Sequence, residues 1–352
     1  MLKSLLRSLA GKQLSIGIEL TEKEVKACEL LTDGKGSNNV VRYASCPIKE
    51  GTISDGRLVD SQELGSTIDK LLKENKFLTN HIHFSIPSPN VMVRTLKLPD
   101  LSHVELKKLV HFEMKNNLRL AFEDPYYDFV KLPGTISKAV EEPNKENENE
   151  NLSEVLVVAA STTILREYAD MFENIKLKPI SFEIKPFSLL RLLTQSYGEQ
   201  LPNCFLIVYV SQLSSEVTIV DNGGIRLART VEVPFQLMLS NEVKQGNDWL
   251  DNYIEPKQLF TNAAQDLIEE IDRLMNFYYY SLGKSEQTFQ NIMLCGDLPK
   301  VSMDHLANMM QDGLTPQVNK VQWDDLPVDG DKSRWDISAY TVALGLALRG
   351  VK

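Results

Sequence analysis

The chain has 352 residues, 43% of them apolar, with 38 Lys and Arg against 48 Asp and Glu and a net charge of −10. At roughly 150 residues per domain that length gives two domains, and this apolar content excludes a wholly disordered chain. An acidic chain without a long Lys/Arg cluster excludes nucleic acid as the expected partner.

Residues 1–13 read as a short amphipathic leader, with Leu2, Leu5, Leu6 and Leu9 at helical spacing and Lys3, Arg7 and Lys12 among and after them. It lacks the continuous apolar stretch and cleavage site of a secretory signal. Two uses stay open for it: lying on an anionic membrane surface, or packing on the domain. No apolar run approaches the ~20 residues a membrane span requires. Strands follow at 14–20, 25–31 and 39–44, with Asp33-Gly34-Lys35-Gly36 as a turn. A helix at 61–74 places Leu64, Ile68 and Leu71 on one face. Strands at 81–86 and 91–96 precede a helix at 102–116, where Ser102 and Glu105 have capping-box spacing. Residues 137–153, rich in Glu and Asn, have almost nothing to bury and read as a solvated loop whose deletion should barely change the melting temperature. Order returns with a buried strand at 156–160, a helix at 163–174, a strand at 179–183 and a helix at 185–197.

The opening theme then recurs. Strands at 204–210, 215–221 and 225–233, with Asp221-Asn222-Gly223-Gly224 as a hairpin turn, lead to a helix at 257–282. A strand at 291–295 and helices at 303–311 and 337–348 complete the chain. A three-strand opening followed by alternating helices and strands, twice in one chain, implies duplication, and two such halves meeting at a cleft is the architecture of actin and the sugar kinases. Cys28, Cys46, Cys204 and Cys295 form no CxxC pair, and His81-x-His83 has no third ligand at metal spacing, so neither a disulfide framework nor a metal site is expected.

Five windows in order carry a family resemblance. They are Ile16-Gly17-Ile18-Glu19-Leu20-Thr21 with Val25-Lys26-Ala27-Cys28-Glu29-Leu30, Val91-Met92-Val93-Arg94-Thr95-Leu96-Lys97-Leu98-Pro99, the helix at 105–113, Glu269-Glu270-Ile271-Asp272-Arg273, and the ending Tyr340-Thr341-Val342-Ala343-Leu344-Gly345-Leu346-Ala347-Leu348-Arg349-Gly350. Together they resemble the PilM-type scaffold proteins of type IV pilus assembly. The resemblance implies an α/β, actin-like (ribonuclease H-like) duplicated fold. Residues 14–200 would be the first lobe, carrying an inserted subdomain at about 88–160, and residues 201–352 the second.

An actin-like ATPase holds its triphosphate between two hairpins whose backbone amides face the phosphates, with a carboxylate at the end of each first strand for Mg²⁺ or water. Under the resemblance, Glu19, Thr21, Lys23, Ser211, Ser215 and Gly296 occupy the nucleotide-site positions. Several depart from the family's residues. Thr21 and Ser211 stand for glycines, Tyr209 for an aspartate, Pro234-Phe235 for a Gly-Gly pair and Asp297 for a second glycine, while Glu22 and Glu24 flank the first turn. A pseudo-ATPase without catalytic residues, metal or cofactor is therefore expected, the alternative being ATP with Mg²⁺ as a weak or structural ligand. The resemblance further implies a scaffold at the inner, cytoplasmic face of the membrane. It would bind the cytoplasmic tail of a PilN-type single-span protein in a groove near residues 91–131, with pilus motor ATPases and further copies of the chain as other partners. An active actin-like ATPase and an FtsA-type membrane-tethered filament are the competing readings.

Overall fold

The computed structural model describes residues 13–33, 37–118, 120, 122–137, 152–235, 256–281, 288–321, 328–329 and 337–350. Leader residues 1–12 and insertion residues 138–151 lie outside these.

The chain opens with an antiparallel unit of β1 (Gln13–Leu20), β2 (Glu24–Thr32) and β3 (Asn38–Pro47). A small pair, β4 (Ile53–Ser54) and β5 (Arg57–Leu58), precedes α1 (Ser61–Glu74), capped by the Asp60 carboxylate accepting from Glu63 N. After β6 (His81–Ser85) come β7 (Val91–Pro99), α2 (His103–Asn116), β8 (Pro125–Ser137) and β9 (Leu152–Ser161). The first half ends with α3 (Thr162–Asn174), β10 (Lys178–Glu183) and α4 (Lys185–Tyr197). The second opens with β11 (Cys204–Val210), β12 (Ser215–Asp221) and β13 (Gly224–Val231), followed by α5 (Pro256–Asn276), which runs into a π-helical turn at Phe277–Ser281. The chain closes with β14 (Asn291–Gly296), α6 (Lys300–Gly313), β15 (Gln317–Lys320), β16 (Val328–Asp329) and α7 (Thr341–Ala347).

The strand order gives the duplication its physical form. One sheet runs β16-β3-β2-β1-β6-β10, with the two-residue β16 added at its edge, and the other runs β13-β12-β11-β14-β15. In each, three antiparallel strands are continued by two parallel ones. The central strands β1 and β11 are covered on both faces, which is why they read as near-continuous apolar runs. Asn222 at φ 50° and Gly223 at φ 71° supply the left-handed pair that a tight β12–β13 hairpin needs.

The last part of the chain does not stay on the second sheet. β16 pairs with β3, and α7 crosses β1 so closely that a Cβ at Gly17 would sit 1.9 Å from Ala343 O. α7 also meets α4, where a Cβ at Gly345 would sit 2.2 Å from Ser188 O. A third sheet, in the order β7-β9-β8, packs against the second-lobe sheet through Leu132 and Leu156. One face is covered by α2 through Leu106, Val110 and Met114. Its other side is tied to the second lobe by buried Arg226, which donates to the Glu154 carboxylate (3.1 Å), Pro133 O (2.7 Å) and Asp221 O (3.1 Å).

Candidate functional site

The two lobes face each other across the ends of β1 and β11. The register of β1 with β6 pairs Ile18 with Phe84, setting Glu19 level with Ser85. In the other lobe Tyr209 is opposite Glu216 on β12 and Cys295 on β14, and Val210 is opposite Gly296. Five charged side chains, Glu19, Lys26, Lys185, Glu216 and Asp297, meet at this seam, with half-buried Glu24 at its margin. Lys26 Nζ is 2.6 Å from Asp297 Oδ2 and 3.5 Å from Glu24 Oε2. Lys185 Nζ is 3.5 Å from Glu19 Oε1 and 3.4 Å from Glu216 Oε1, and lies 5.5 Å from the centre of the Tyr209 ring. The Tyr209 hydroxyl donates to Glu19 Oε1 at 3.4 Å, and the Ser88 hydroxyl donates to Glu216 Oε1 at 2.5 Å.

All five charged groups are buried or nearly so, which sets the electrostatics. Burial raises the Glu19 carboxyl above its ordinary range, with Lys185 and Lys26 pulling it back down. Burial alone would lower both ammoniums. For Lys26 the Glu19 and Asp297 carboxylates outweigh it, and for Lys185 Glu216 and Glu19 do, so both lysines titrate above the ordinary value. Glu19, Glu216 and Asp297 outnumber Lys26 and Lys185 by one charge when all are ionised. Glu19 Oε2, Asp297 Oδ1, Ser85 Oγ and Ser215 Oγ are buried at the same seam without a hydrogen-bond partner among the described residues.

The hairpins beside the seam are closed on themselves, and alike. In the first, Thr21 N donates to Glu24 O (3.0 Å), while the Thr21 hydroxyl accepts from Glu24 N (3.0 Å) and Lys23 N (3.3 Å). In the second, Ser211 N and Oγ both donate to Ser214 O (3.0 and 2.8 Å), and Ser211 Oγ accepts from Ser214 N (3.4 Å). Thr21 and Ser211 stand one residue beyond β1 and β11, so the device is repeated by the duplication.

The expected site residues therefore separate. Glu19 and Ser215 are inside the seam, and Thr21 and Ser211 are on the hairpins. Gly296, at φ 153°, packs against β11, where a Cβ would sit 2.0 Å from Val210 O. Lys23 is exposed and stands apart from the cluster. Glu22, expected to flank the first turn as a repulsive charge, turns back to accept from Asp55 N at 2.6 Å. Phe235, in the expected Gly-Gly place, is buried against Phe260 at 5.4 Å between ring centres. The sequence marks Glu216 only as the residue standing, after Ser215, where the family has an aspartate, and Asp297 only as a lost glycine, and it gives Lys185 and Ser88 no part in the site. The available signals were a lysine inside a buried strand (Val25-Lys26-Ala27) and a lysine heading an apolar helix (Lys185-Pro186-Phe187).

Glu216 also reaches a second feature, a cavity of about 310 Å³ between the subdomain and the second lobe. Its walls include Val91, Val93 and Arg94 of β7 and Ala228, Arg229 and Thr230 of β13. Ile86, Ile184 and Pro186 supply apolar surface beneath. Among the described residues no group of three or more His, Cys, Asp and Glu could hold a metal, and no helix is long and apolar enough to cross a membrane.

Several solved structures align with this chain. A PilM-PilN type IV pilus biogenesis complex aligns at TM-score 0.76 and 20% identity, covering 96% of this chain and 98% of that one. The ethanolamine utilization protein EutJ from Carboxydothermus hydrogenoformans aligns at 0.47 and 11%, covering 96% and 89%. MreB 5 of Spiroplasma citri bound to AMPPNP aligns at 0.46 and 9%, covering 96% and 94%. No curated protein sequence matches the chain. The sequence profile of the family described as type IV pilus assembly protein PilM matches residues 17–351, and with its duplicated actin-like fold the chain belongs to that family.

Proposed function

We propose that this protein is a cytoplasmic scaffold of the pilus assembly platform. It takes the cytoplasmic tail of a PilN-type membrane protein in the β7/β13 groove, and its interlobe seam does not hydrolyse ATP. Family membership and the PilM-PilN structure support the partner. The groove lies where the resemblance placed a docking site, in the stretch beginning at Val91, and is apolar beneath, as a short peptide anchor requires. Location at the inner face of the membrane follows from the partner, and pilus motor ATPases are the second class of partner under this reading.

The observation that carries the non-hydrolytic half is the closed hairpin pair. Glu24 N and Ser214 N, which would have to turn toward a triphosphate, already donate to Thr21 Oγ1 and Ser211 Oγ. At the seam the ammoniums of Lys26 and Lys185 pair with carboxylates that a metal would otherwise need. These residues do not fit Mg²⁺-ATP. Calorimetric titration of the purified chain with the synthetic tail should show saturable binding, abolished by Thr230→Trp at the exposed groove wall. Millimolar ATP with Mg²⁺ should leave the melting temperature unmoved. A ligand at 100 times its dissociation constant stabilises by about 2.7 kcal/mol, so a shift of several degrees would overturn the pseudo-ATPase reading and leave the scaffold reading standing.

A further inference from the structure

We propose that the end of the first lobe opposite the seam rests directly on a bilayer surface of anionic phospholipid. This contact needs no protein tail, so it stands or falls apart from the groove reading.

The strand directions define that end. β1, β6 and β10 run parallel, with Ile16 beside Ile82 and His81 beside Lys178. All three therefore enter the sheet at one end and carry Glu19 and Ser85 to the seam at the other. α1 and α3 finish at the entry end, just before β6 and β10. Over 69–81 and 173–180 the chain has Lys70, Lys73, Lys76, Lys176 and Lys178 against Asp69, Glu74 and Glu173. That is a local excess of two positive charges on a chain of net charge −10. Lys73 is held by Asp69 at 2.6 Å. Lys76, Lys176 and Lys178 are exposed and have no ion pair among the described residues. β1 starts here as well, and the sequence before Gln13 contains Lys3, Arg7 and Lys12 and no Asp or Glu.

The backbone singles out two of these lysines. Both helices end in the same turn. Lys76 N donates to Lys73 O and Phe77 N to Leu72 O, while Lys176 N donates to Glu173 O and Leu177 N to Phe172 O. This closure holds one residue in the left-handed region, where glycine is the usual occupant. Here lysine takes that place twice, at φ 56° and φ 64°. The other described non-glycine residues at positive φ, Asp55 and Asn222, are of types that adopt it readily, whereas lysine does so at a cost. A helix dipole favours a cation in the last turn, and Lys73 already supplies one to α1. The dipole therefore leaves the strained second cation unexplained.

Between the two turns is a cavity of about 410 Å³, walled by Lys73 and Lys176 together with Leu72, Phe77, Ile175 and Leu177. Leu78, next to Phe77 in the chain, and Ile180, on β10, are exposed. Cations around exposed apolar side chains suit a surface with phosphate above and hydrocarbon beneath. A polyanion without hydrocarbon would leave Leu78 and Ile180 in water.

The test sediments the full chain with vesicles of phosphatidylcholine alone and with vesicles of phosphatidylcholine mixed with phosphatidylglycerol. Partition is expected onto the mixed vesicles only, falling as salt is raised. Lys76→Gly with Lys176→Gly removes two charges and relieves the backbone strain at both. The melting temperature of that variant should hold or rise, since glycine takes positive φ freely. Its partition should fall about 25-fold, at about fivefold for each lysine near an anionic surface. Arg273→Gln with Lys300→Gln removes the same charge from the second lobe and should leave partition within about twofold. A purely structural role for the two lysines would move the melting temperature and leave vesicle binding alone. No partition onto the mixed vesicles, equal partition onto both kinds, or equal losses in the two double variants would overturn the proposal. So would undiminished partition of the glycine variant that disappears when residues 2–12 are removed, which would assign the contact to the leader instead of this face.

Discussion

At the scale of single residues, close backbone approach explains several positions that sequence motifs mark. Gly296 belongs to a nucleotide-site window under the family resemblance, yet its neighbour is Val210 O, 2.0 Å from where a Cβ would stand. Gly296→Ala should therefore destabilise the chain by about 3 kcal/mol in urea unfolding with no nucleotide present, from overpacking and a strained φ. An unchanged midpoint would mean the glycine serves something other than packing. Gly17 falls inside the family-like window at Ile16-Gly17-Ile18, but the reason for a glycine there was not legible, because the atom that requires it, Ala343 O, is remote in the chain. His83 poses a similar contrast with His81. Both are on β6, but His81 is exposed, whereas buried His83 hydrogen-bonds Ser181 at 2.7 Å. Burial, with Arg349 and Arg191 nearby, lowers its pKa to about 4. Its unfolded value is near 6.5, so the unfolded chain binds the proton first. The stability of the neutral form is complete above pH 6.5 and is lost as pH falls toward 4. His83→Gln should flatten that window, removing a slope worth on the order of 2–3 kcal/mol between pH 7 and pH 4. A mutant whose pH profile matches the parent's would place the acid sensitivity elsewhere.

At the scale of elements, the hairpins after β1 and β11 show what duplication preserved. Each has a hydroxyl one residue past the strand, folding the turn back on itself. Thr21→Ala and Ser211→Ala should each cost about 1 kcal/mol, and the double mutant about the sum, since the turns belong to different lobes. A strongly non-additive result in unfolding experiments would show that the turns communicate through the seam. The strands and helices themselves were readable where periodicity and turn chemistry agree. The helices expected at 61–74 and 185–197 and the strands at 204–210 and 215–221 have those bounds in the structure. β8 was not readable, because Pro133-Gly134 inside it looks like a turn. The structure absorbs that pair at a register shift between Lys131 and Ile136, on an edge strand where a missing N–H is tolerated. The stretch expected as a loop at 137–153 overlaps strands at both ends, since Ser137 closes β8 and Leu152 and Ser153 open β9, and residues 138–151 lie outside the described residues. β15 and β16 are four and two residues long, too short for a pattern to register.

At the scale of the molecule, the two lobes are joined by charges neither sequence half reveals alone. Lys26 is in the first lobe's sheet and Asp297 follows β14 in the second, and their 2.6 Å contact is almost fully removed from solvent. Such a pair contributes little relative to an apolar replacement of both members, because its desolvation offsets its attraction. Removing one member is different, since the other charge stays buried and uncompensated. Lys26→Met should therefore cost about 3–5 kcal/mol, leaving Asp297 exposed to the like charges of Glu19 and Glu216, while Lys26→Met combined with Asp297→Leu should recover most of the loss. The location of the damage separates this account from a local one. If the pair couples the lobes, hydrogen exchange in the single mutant should accelerate on both sides of the seam, around 18–26 in the first lobe and 295–298 in the second. It should slow again on both sides in the double mutant. Acceleration confined to β1 and β2, or a double mutant as unstable as the single, would show that Lys26 supports only its own sheet and that the lobes are held by α7 and the subdomain instead.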